Sequence, residues 1–190
     1  MAVAGRDLSH FTPLPRPRAR SERALVRDAA RGSEDALAEL FRRSWPSAYR
    51  AAFLIVHDHS AAEDIAQEAL VAAIRNLERF DRRRPLGPWV HRIVVNRAID
   101  WARLRVLRSE VTDVDAAAEP AEGQHQWSDP VVAALAELSP DQRAVVVLRH
   151  LLEYTPGEIA SMLGVPRGTV NSRLRRGLDV LRGRLEDEER

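Results

Sequence analysis

The sequence predicts an all-α protein: two small helical domains, at 22–108 and 131–186, joined by an acidic flexible linker. Three observations carry that expectation. Strand-like alternation of apolar and polar residues is scarce, helix-start signals recur along the chain, and one internal stretch changes abruptly in composition. With 190 residues, 45% of them hydrophobic, the chain is long enough to build two small cores.

Residues 1–21 interleave Pro13, Pro15 and Pro17 with Arg16, Arg18 and Arg20, and are expected to form a disordered Pro/Arg-rich arm that buries little. Ser33 then caps a helix running to Val56, which Pro46 bends or divides. Ser60-Ala61-Ala62-Glu63 has the form of a capping box and opens a helix to about Phe80. On that helix Ile65, Ala69, Ala72 and Ala73 share one side, with Asp64, Gln67, Glu68 and Val71 near the other. Such a face is either a solvated surface with one stray valine or a contact surface. From Trp89 a further helix puts Val95, Ala98, Ile99, Ala102 and Val106 on a buried stripe, with Trp89, Asn96, Asp100 and Arg103 along another side. Asp100 and Arg103 are spaced to pair with each other. Trp101 belongs with the core.

Residues 109–130 hold six acids (Glu110, Asp113, Asp115, Glu119, Glu122 and Asp129) and no arginine. Few large apolar residues accompany them, as expected of a linker. At roughly 3.3 Å per residue it reaches at most about 70 Å, enough for the two domains to occupy separate sites.

Beyond it, Ser139-Pro140-Asp141-Gln142 and Thr155-Pro156-Gly157-Glu158 are two more capping boxes, each with proline at the first helical position. The second opens a short helix with Ile159, Ala160 and Leu163 facing inward, Gly164 as the turn residue and Val165 as a plug. In the last helix Leu174, Leu178, Leu181 and Leu185 line up with Val170 as the buried stripe. Thr169, Ser172, Arg173 and Arg176 lie opposite. Leu151 and Leu152 complete this core. The pattern is a helix-turn-helix whose hydroxyls approach phosphates and whose arginines reach phosphates or guanine edges.

Composition excludes several chemistries. All 29 basic residues are arginine, the formal net charge is +1 and there is no cysteine, so disulfides, thiolate metal sites and cysteine nucleophiles are ruled out. The six histidines form no HExxH or His-x-x-x-His arrangement, and no glycine loop suited to phosphate is present. The expectation is a protein that is not an enzyme, with no catalytic residues, no metal and no cofactor. The opening residues lack the apolar core of a signal peptide, and no run approaches the roughly 18 apolar residues of a membrane span, so a soluble cytoplasmic protein is expected.

Three segments, AAEDIAQEALVAAIRNLERF, FDRRRPLGPWVHRIVVNRAIDWARLR and LSPDQRAVVVLRHLLEYTPGEIASMLGVPRGTVNSRLRRGLDVLRGRL, carry a family resemblance. Together they resemble regions 2 and 4 of bacterial RNA polymerase sigma factors of the sigma-70 family, extracytoplasmic-function (group IV) subfamily. The resemblance implies a factor that binds core RNA polymerase, at the largest-subunit coiled coil and the flap region, and directs initiation on promoter DNA. It assigns Asp64, Gln67, Glu68 and Val71 to the polymerase face. Phe80, Arg82, Arg83, Arg84, Trp89, Ile93 and Asn96 fall at positions that recognise the minus-10 element and capture an unpaired base, a task suited to aromatic, amide and basic groups. Arg167, Thr169, Ser172, Arg173 and Arg176 fall at minus-35 positions. An anti-sigma factor is a further implied partner.

This chain departs from the usual pattern at Arg82-Arg83-Arg84-Pro85, where small and glycine-rich residues are common. The linker stays open between a plain tether and a segment that enters the polymerase active-site channel, as it does in related proteins. The alternative is a helix-turn-helix regulator that binds an operator without engaging polymerase. The final 60 residues permit it, whereas the ED-x-x-QE helix and residues 80–100 favour the sigma reading.

Overall fold

The computed structural model describes residues 20–112 and 129–188, with side chains over 20–108 and 130–184. The expected N-terminal arm therefore lies outside the described residues except for its last two positions, and so does the linker between 113 and 128. Among the described residues the chain forms eight α-helices: α1 (Glu22–Ala29), α2 (Glu34–Val56), α3 (His59–Arg75), α4 (Leu86–Thr112), α5 (Asp129–Ala136), α6 (Pro140–Val146), α7 (Pro156–Leu163) and α8 (Arg167–Glu188).

Ser33 caps α2 as expected, its hydroxyl accepting from the Ala36 amide at 3.3 Å. Pro46 neither divides nor ends the helix. It sits on the exposed side, so water can satisfy the carbonyl of exposed Arg42 that a proline leaves without a donor. At α3 the expected cap is displaced. Asp58, not Ser60, is the N-cap, accepting from the Ala61 amide at 2.9 Å, and Ser60 lies inside the helix. The carboxylate suits the task because its other oxygen meets Arg105 of α4 at 3.3 Å, tying the start of α3 to its neighbour. The helix ends at Arg75, and a 3-10 turn, Leu77–Arg79, delivers Phe80.

The first core is built largely from alanine where α2, α3 and α4 cross. Ala48, Ala51, Ala52, Ala62, Ala66, Ala69 and Ala98 are all fully buried. Small side chains there let the helix backbones approach closely. On α4 the expected stripe holds at Val95, Ala98, Ile99 and Ala102 but fails at Val106, which is 44% exposed. Leu104 and Leu107 are exposed as well, because the last turns of α4 run past the helices that cover its first half. The helix also begins earlier than Trp89, at Leu86, whose amide donates to the Glu22 carboxylate of α1.

In the second half both capping boxes form. Ser139 Oγ accepts from the Gln142 amide while Gln142 Oε1 accepts from the Ser139 amide, and Thr155 and Glu158 repeat the exchange. A π-helical turn, Val147–Leu151, extends α6. Gly164 ends α7 at φ +65, a left-handed conformation for which glycine carries no side-chain penalty. Val165 is half-buried beyond it, and Val170 and Leu174 face the core with Ile159. Gly177 marks the closest approach of α8 to α6, where an added Cβ would lie 3.1 Å from Val146 Cγ2.

Arg143 of α6 is buried yet has no carboxylate partner among the described residues. Its guanidinium donates to the carbonyls of Leu135, Ala136 and Leu138, at and just beyond the end of α5, where the helix itself supplies few donors. A fourth bond, to the carbonyl of Ile55, crosses to α2. The two helical groups are thus in contact, with α6 and α7 packed on α2 and α4.

Candidate protein and nucleic-acid interfaces

Three surfaces gather the residues singled out from the sequence. On α3, Asp64, Gln67 and Glu68 are exposed and Val71 is half-buried, while Ile65, Ala66, Ala69 and Leu70 face the core. The four line one shallow depression with Ala72, Arg75, Asn76 and Arg97. Arg97, reaching over from α4, pairs with Glu68 at 2.5 Å. The face sets two acids, Asp64 and Glu68, around a central apolar spot, with Arg75 and Arg97 at its edge, and a competing partner would have to displace Arg97 from Glu68.

The second surface starts at Phe80. Asp81 holds the following loop, its carboxylate accepting from the Arg83 amide at 3.0 Å and its carbonyl from the Arg84 amide at 2.9 Å. That turn leaves Arg82, Arg83 and Arg84 exposed. Phe80 itself is only 8% exposed and packs against Trp89 in a tilted ring pair, with centroids 4.9 Å apart. Trp89, Ile93 and Asn96 follow on α4, each half-buried. Arg79, Phe80, Asp81, Arg84, Trp89 and Arg92 wall one side of a cleft of about 670 Å³ whose other side is α7.

The third surface is the start of α8. Arg167 and Arg176 are exposed, and Thr169, Ser172 and Arg173 are half-buried. Ser172 Oγ donates to the Thr169 carbonyl, and Arg173 Nη1 lies 3.1 Å from Asp141 Oδ1. The inward face of the helix orients this set: Val170 and Leu174 are buried and Leu178 and Leu181 half-buried.

Several residues escaped the sequence reading. Asp141 was noted only as part of a capping box, yet it also receives Arg103 Nη2 at 2.8 and 3.0 Å. Arg103 prefers this partner to Asp100, which stands at 4.0 Å. Asn96 Nδ2 donates to the Met162 carbonyl at 3.4 Å, and His91 Nδ1 is 2.7 Å from Tyr154 Oη. Burial pushes His91 down to about 4 and, with a smaller effect of Glu158, raises Tyr154 to about 12. Trp101, expected in the core, is half-buried under the Arg105 guanidinium at 5.2 Å. A signal was available for Arg143, a lone charge ahead of the apolar run Ala144-Val145-Val146-Val147-Leu148. The Arg103–Asp141, Asn96–Met162 and His91–Tyr154 contacts join the two halves.

The family model for Sigma-70 region 2 matches residues 40–107, and that for Sigma-70, region 4 matches residues 128–181. The ECF RNA polymerase sigma factor SigM of Mycobacterium tuberculosis is 35% identical over 161 residues, 83% of this chain and 81% of the relative. The chain belongs to the ECF sigma factors. SigW of Bacillus subtilis, also an ECF RNA polymerase sigma factor, is 28% identical over 85% of this chain and 95% of its own length. Two solved structures share the fold of this sigma factor. CnrH, in complex with the cytosolic domain of CnrY, aligns at a TM-score of 0.63 and 26% identity over 87% of this chain and 97% of its own. RpoE of Bartonella quintana, in complex with the anti-sigma factor NepR, aligns at 0.63 and 25% identity over 78% and 96%. Two helical domains, of region 2 and region 4 type, are therefore established, and the last helices of this sigma factor are a region 4 helix-turn-helix.

Proposed function

We propose that this sigma factor docks on core polymerase through Asp64, Gln67, Glu68 and Val71, reads the minus-10 element with Phe80, Arg82, Arg83, Arg84, Trp89, Ile93 and Asn96, and reads minus-35 with Arg167, Thr169, Ser172, Arg173 and Arg176. The observation that carries the docking assignment is the α3 face, where three exposed polar residues surround a half-buried valine on a helix whose opposite side is fully engaged in the core. An apolar anchor ringed by polar groups is the usual anatomy of a protein contact. The region 2 match over 40–107 disfavours a regulator that binds an operator alone.

The division of labour follows from the chemistry of each surface. Exposed arginines at residues 82–84 attract backbone phosphate, and the Phe80–Trp89 pair offers an aromatic edge beside the cleft. The start of α8 presents hydroxyls and guanidinium groups suited to a major groove. The factor contributes positioning and strand separation and has no turnover of its own. It acts in the cytoplasm, consistent with the lack, among the described residues, of any helix long and apolar enough to cross a membrane. The two solved relatives were captured with CnrY and NepR, and an anti-sigma factor is proposed as a partner here too.

The test is capture on purified core polymerase. Asp64→Arg combined with Glu68→Arg reverses the charge of the face without touching the core, and retention is expected to fall at least tenfold while the far-ultraviolet spectrum stays helical. Undiminished retention of the folded variant would remove this face from the polymerase contact.

A further inference from the structure

We propose that residues 12–18, Thr-Pro-Leu-Pro-Arg-Pro-Arg, dock in extended form along an aromatic stripe on α2. The stripe consists of Phe41, Trp45, Tyr49 and Phe53, one ring every fourth residue, each half-buried against the core. Successive ring centroids lie 5.5, 6.3 and 6.2 Å apart, and the planes differ by only 19°, 15° and 14°. His59 of α3 prolongs the row, its ring centroid 4.4 Å from that of Phe53 and its Nδ1 2.6 Å from Tyr49 Oη. Four large rings, partly exposed in a row on one helix, make a surface that water solvates poorly. None of the polymerase or promoter roles assigned above uses them, and the docking does not depend on those roles.

The occupant follows from where the chain enters the described residues. Arg20, the first of them, has its carbonyl held by Arg43 Nη1 of α2 at 2.9 Å. Pro17 stands three residues back, within about 10 Å of that point, and Trp45 is two residues along the helix from Arg43. Pro13, Pro15 and Pro17 each fix their own φ and hold the preceding residue extended, so the stretch loses little freedom on docking. In an extended chain the alternation puts the prolines on one edge and Leu14, Arg16 and Arg18 on the other. Prolines two residues apart then repeat at roughly 6 to 7 Å, close to the interval between the rings. The spans agree as well: Pro17 back to Pro13 covers roughly 13 Å of extended chain, and Trp45 to Phe53 about 12 Å of helix. Apolar proline rings set against aromatic side chains are the usual means of recognising a proline-rich segment, and here they leave the arginines in water. A second copy of the chain fits less well, because a stable interface takes roughly 800 Å² from each partner and the stripe is one ring wide.

The test uses the full chain, whose lack of cysteine lets a single nitroxide be placed on Arg16→Cys. The indole N–H signal of Trp45, assigned with Trp45→Phe, is read by nuclear magnetic resonance in isotope-labelled protein as the ratio of intensities with the nitroxide oxidised and reduced. Trp45 is expected to lose most of its signal. Pro13→Ser, Pro15→Ser and Pro17→Ser combined are expected to restore it, whereas Arg18→Ser is expected to leave it bleached. All these substitutions lie ahead of α1, so the helical cores stay intact. An undiminished Trp45 signal would overturn the proposal. So would restoration by Arg18→Ser with the proline variant still bleached, which would mean attraction by charge and not packing of prolines. Isotope-labelled chain without the nitroxide is then mixed with nitroxide-bearing chain that carries no isotope, and Trp45 is expected to keep its signal. A loss in that mixture would assign the stripe to the arm of a second copy and overturn docking within one chain.

Discussion

Arg143 shows how a single side chain joins two levels of structure. Its donors terminate α5, and one of them reaches α2, so the bonds that finish a helix also join the two halves. Burial lowers its pKa to about 10, which still leaves it charged at neutral pH. His91, buried, and His57, half-buried with its Nε2 enclosed, behave differently. Burial, reinforced by the Arg143 charge, brings His57 down to about 3, and burial brings His91 down to about 4. Above the ordinary imidazole value near 6.5 both are neutral whether the chain is folded or unfolded, so neither makes stability depend on pH. Below it the unfolded chain takes up protons that the folded chain refuses, and stability falls with slope about 1.4 kcal/mol per pH unit for each ring. Urea denaturation at intervals between pH 7 and pH 4.5 is expected to show this loss, with His91→Phe reducing the slope by about half. A flat profile would show that neither ring is held neutral. The sequence displayed both histidines but not their burial, because that depends on which helices cover them.

At the level of elements, local chemistry was the reliable guide where a short motif is self-contained. The boxes at Ser139 and Thr155 involve residues three apart and nothing beyond them, and both form. Thr155→Ala is expected to cost about 1 kcal/mol in thermal or urea unfolding, and Glu158→Ala a similar part of it. A loss below about 0.3 kcal/mol in both would mean that α7 is held by packing alone. The apparent box at Ser60 fails because Asp58, two residues earlier, offers a charged cap that also meets Arg105. Local pattern named a suitable cap, and a tertiary partner selected another. Val106 was misplaced for the complementary reason: its helical phase was right, but among the described residues it stays 44% exposed, beyond the helices that cover the first half of α4.

At the scale of the molecule, two of the three arginines proposed for minus-35, Arg173 and Arg176, are no longer equivalent. Arg176 is exposed, whereas Arg173 retains only 23% of its side-chain exposure and is paired with Asp141. Arg176→Ala is expected to weaken minus-35 binding by about 1 to 3 kcal/mol if its guanidinium reads a base. Arg173→Ala should cost less, because the parent side chain has to give up Asp141 before it can meet DNA. Fluorescence anisotropy measures both, and a larger loss for Arg173 would contradict the pairing.

The sequence by itself determined the helical class and the two-part organisation and nominated the residues of the three surfaces, because periodicity, capping chemistry and family motifs are written in residues close together along the chain. It separated the exposed acids of α3 from Ile65, Ala69 and Ala73 but misplaced Ala72, which is half-buried beside the acids. Only the tertiary structure decided that Phe80 is packed on Trp89 and largely buried, that Arg143 bridges α5 to α2, and that Asn96 and Arg173 already have partners. The Arg143–Ile55, Asn96–Met162 and Arg173–Asp141 contacts join residues 30 or more positions apart, and no local pattern encodes which distant carbonyl or carboxylate will arrive beside a given donor.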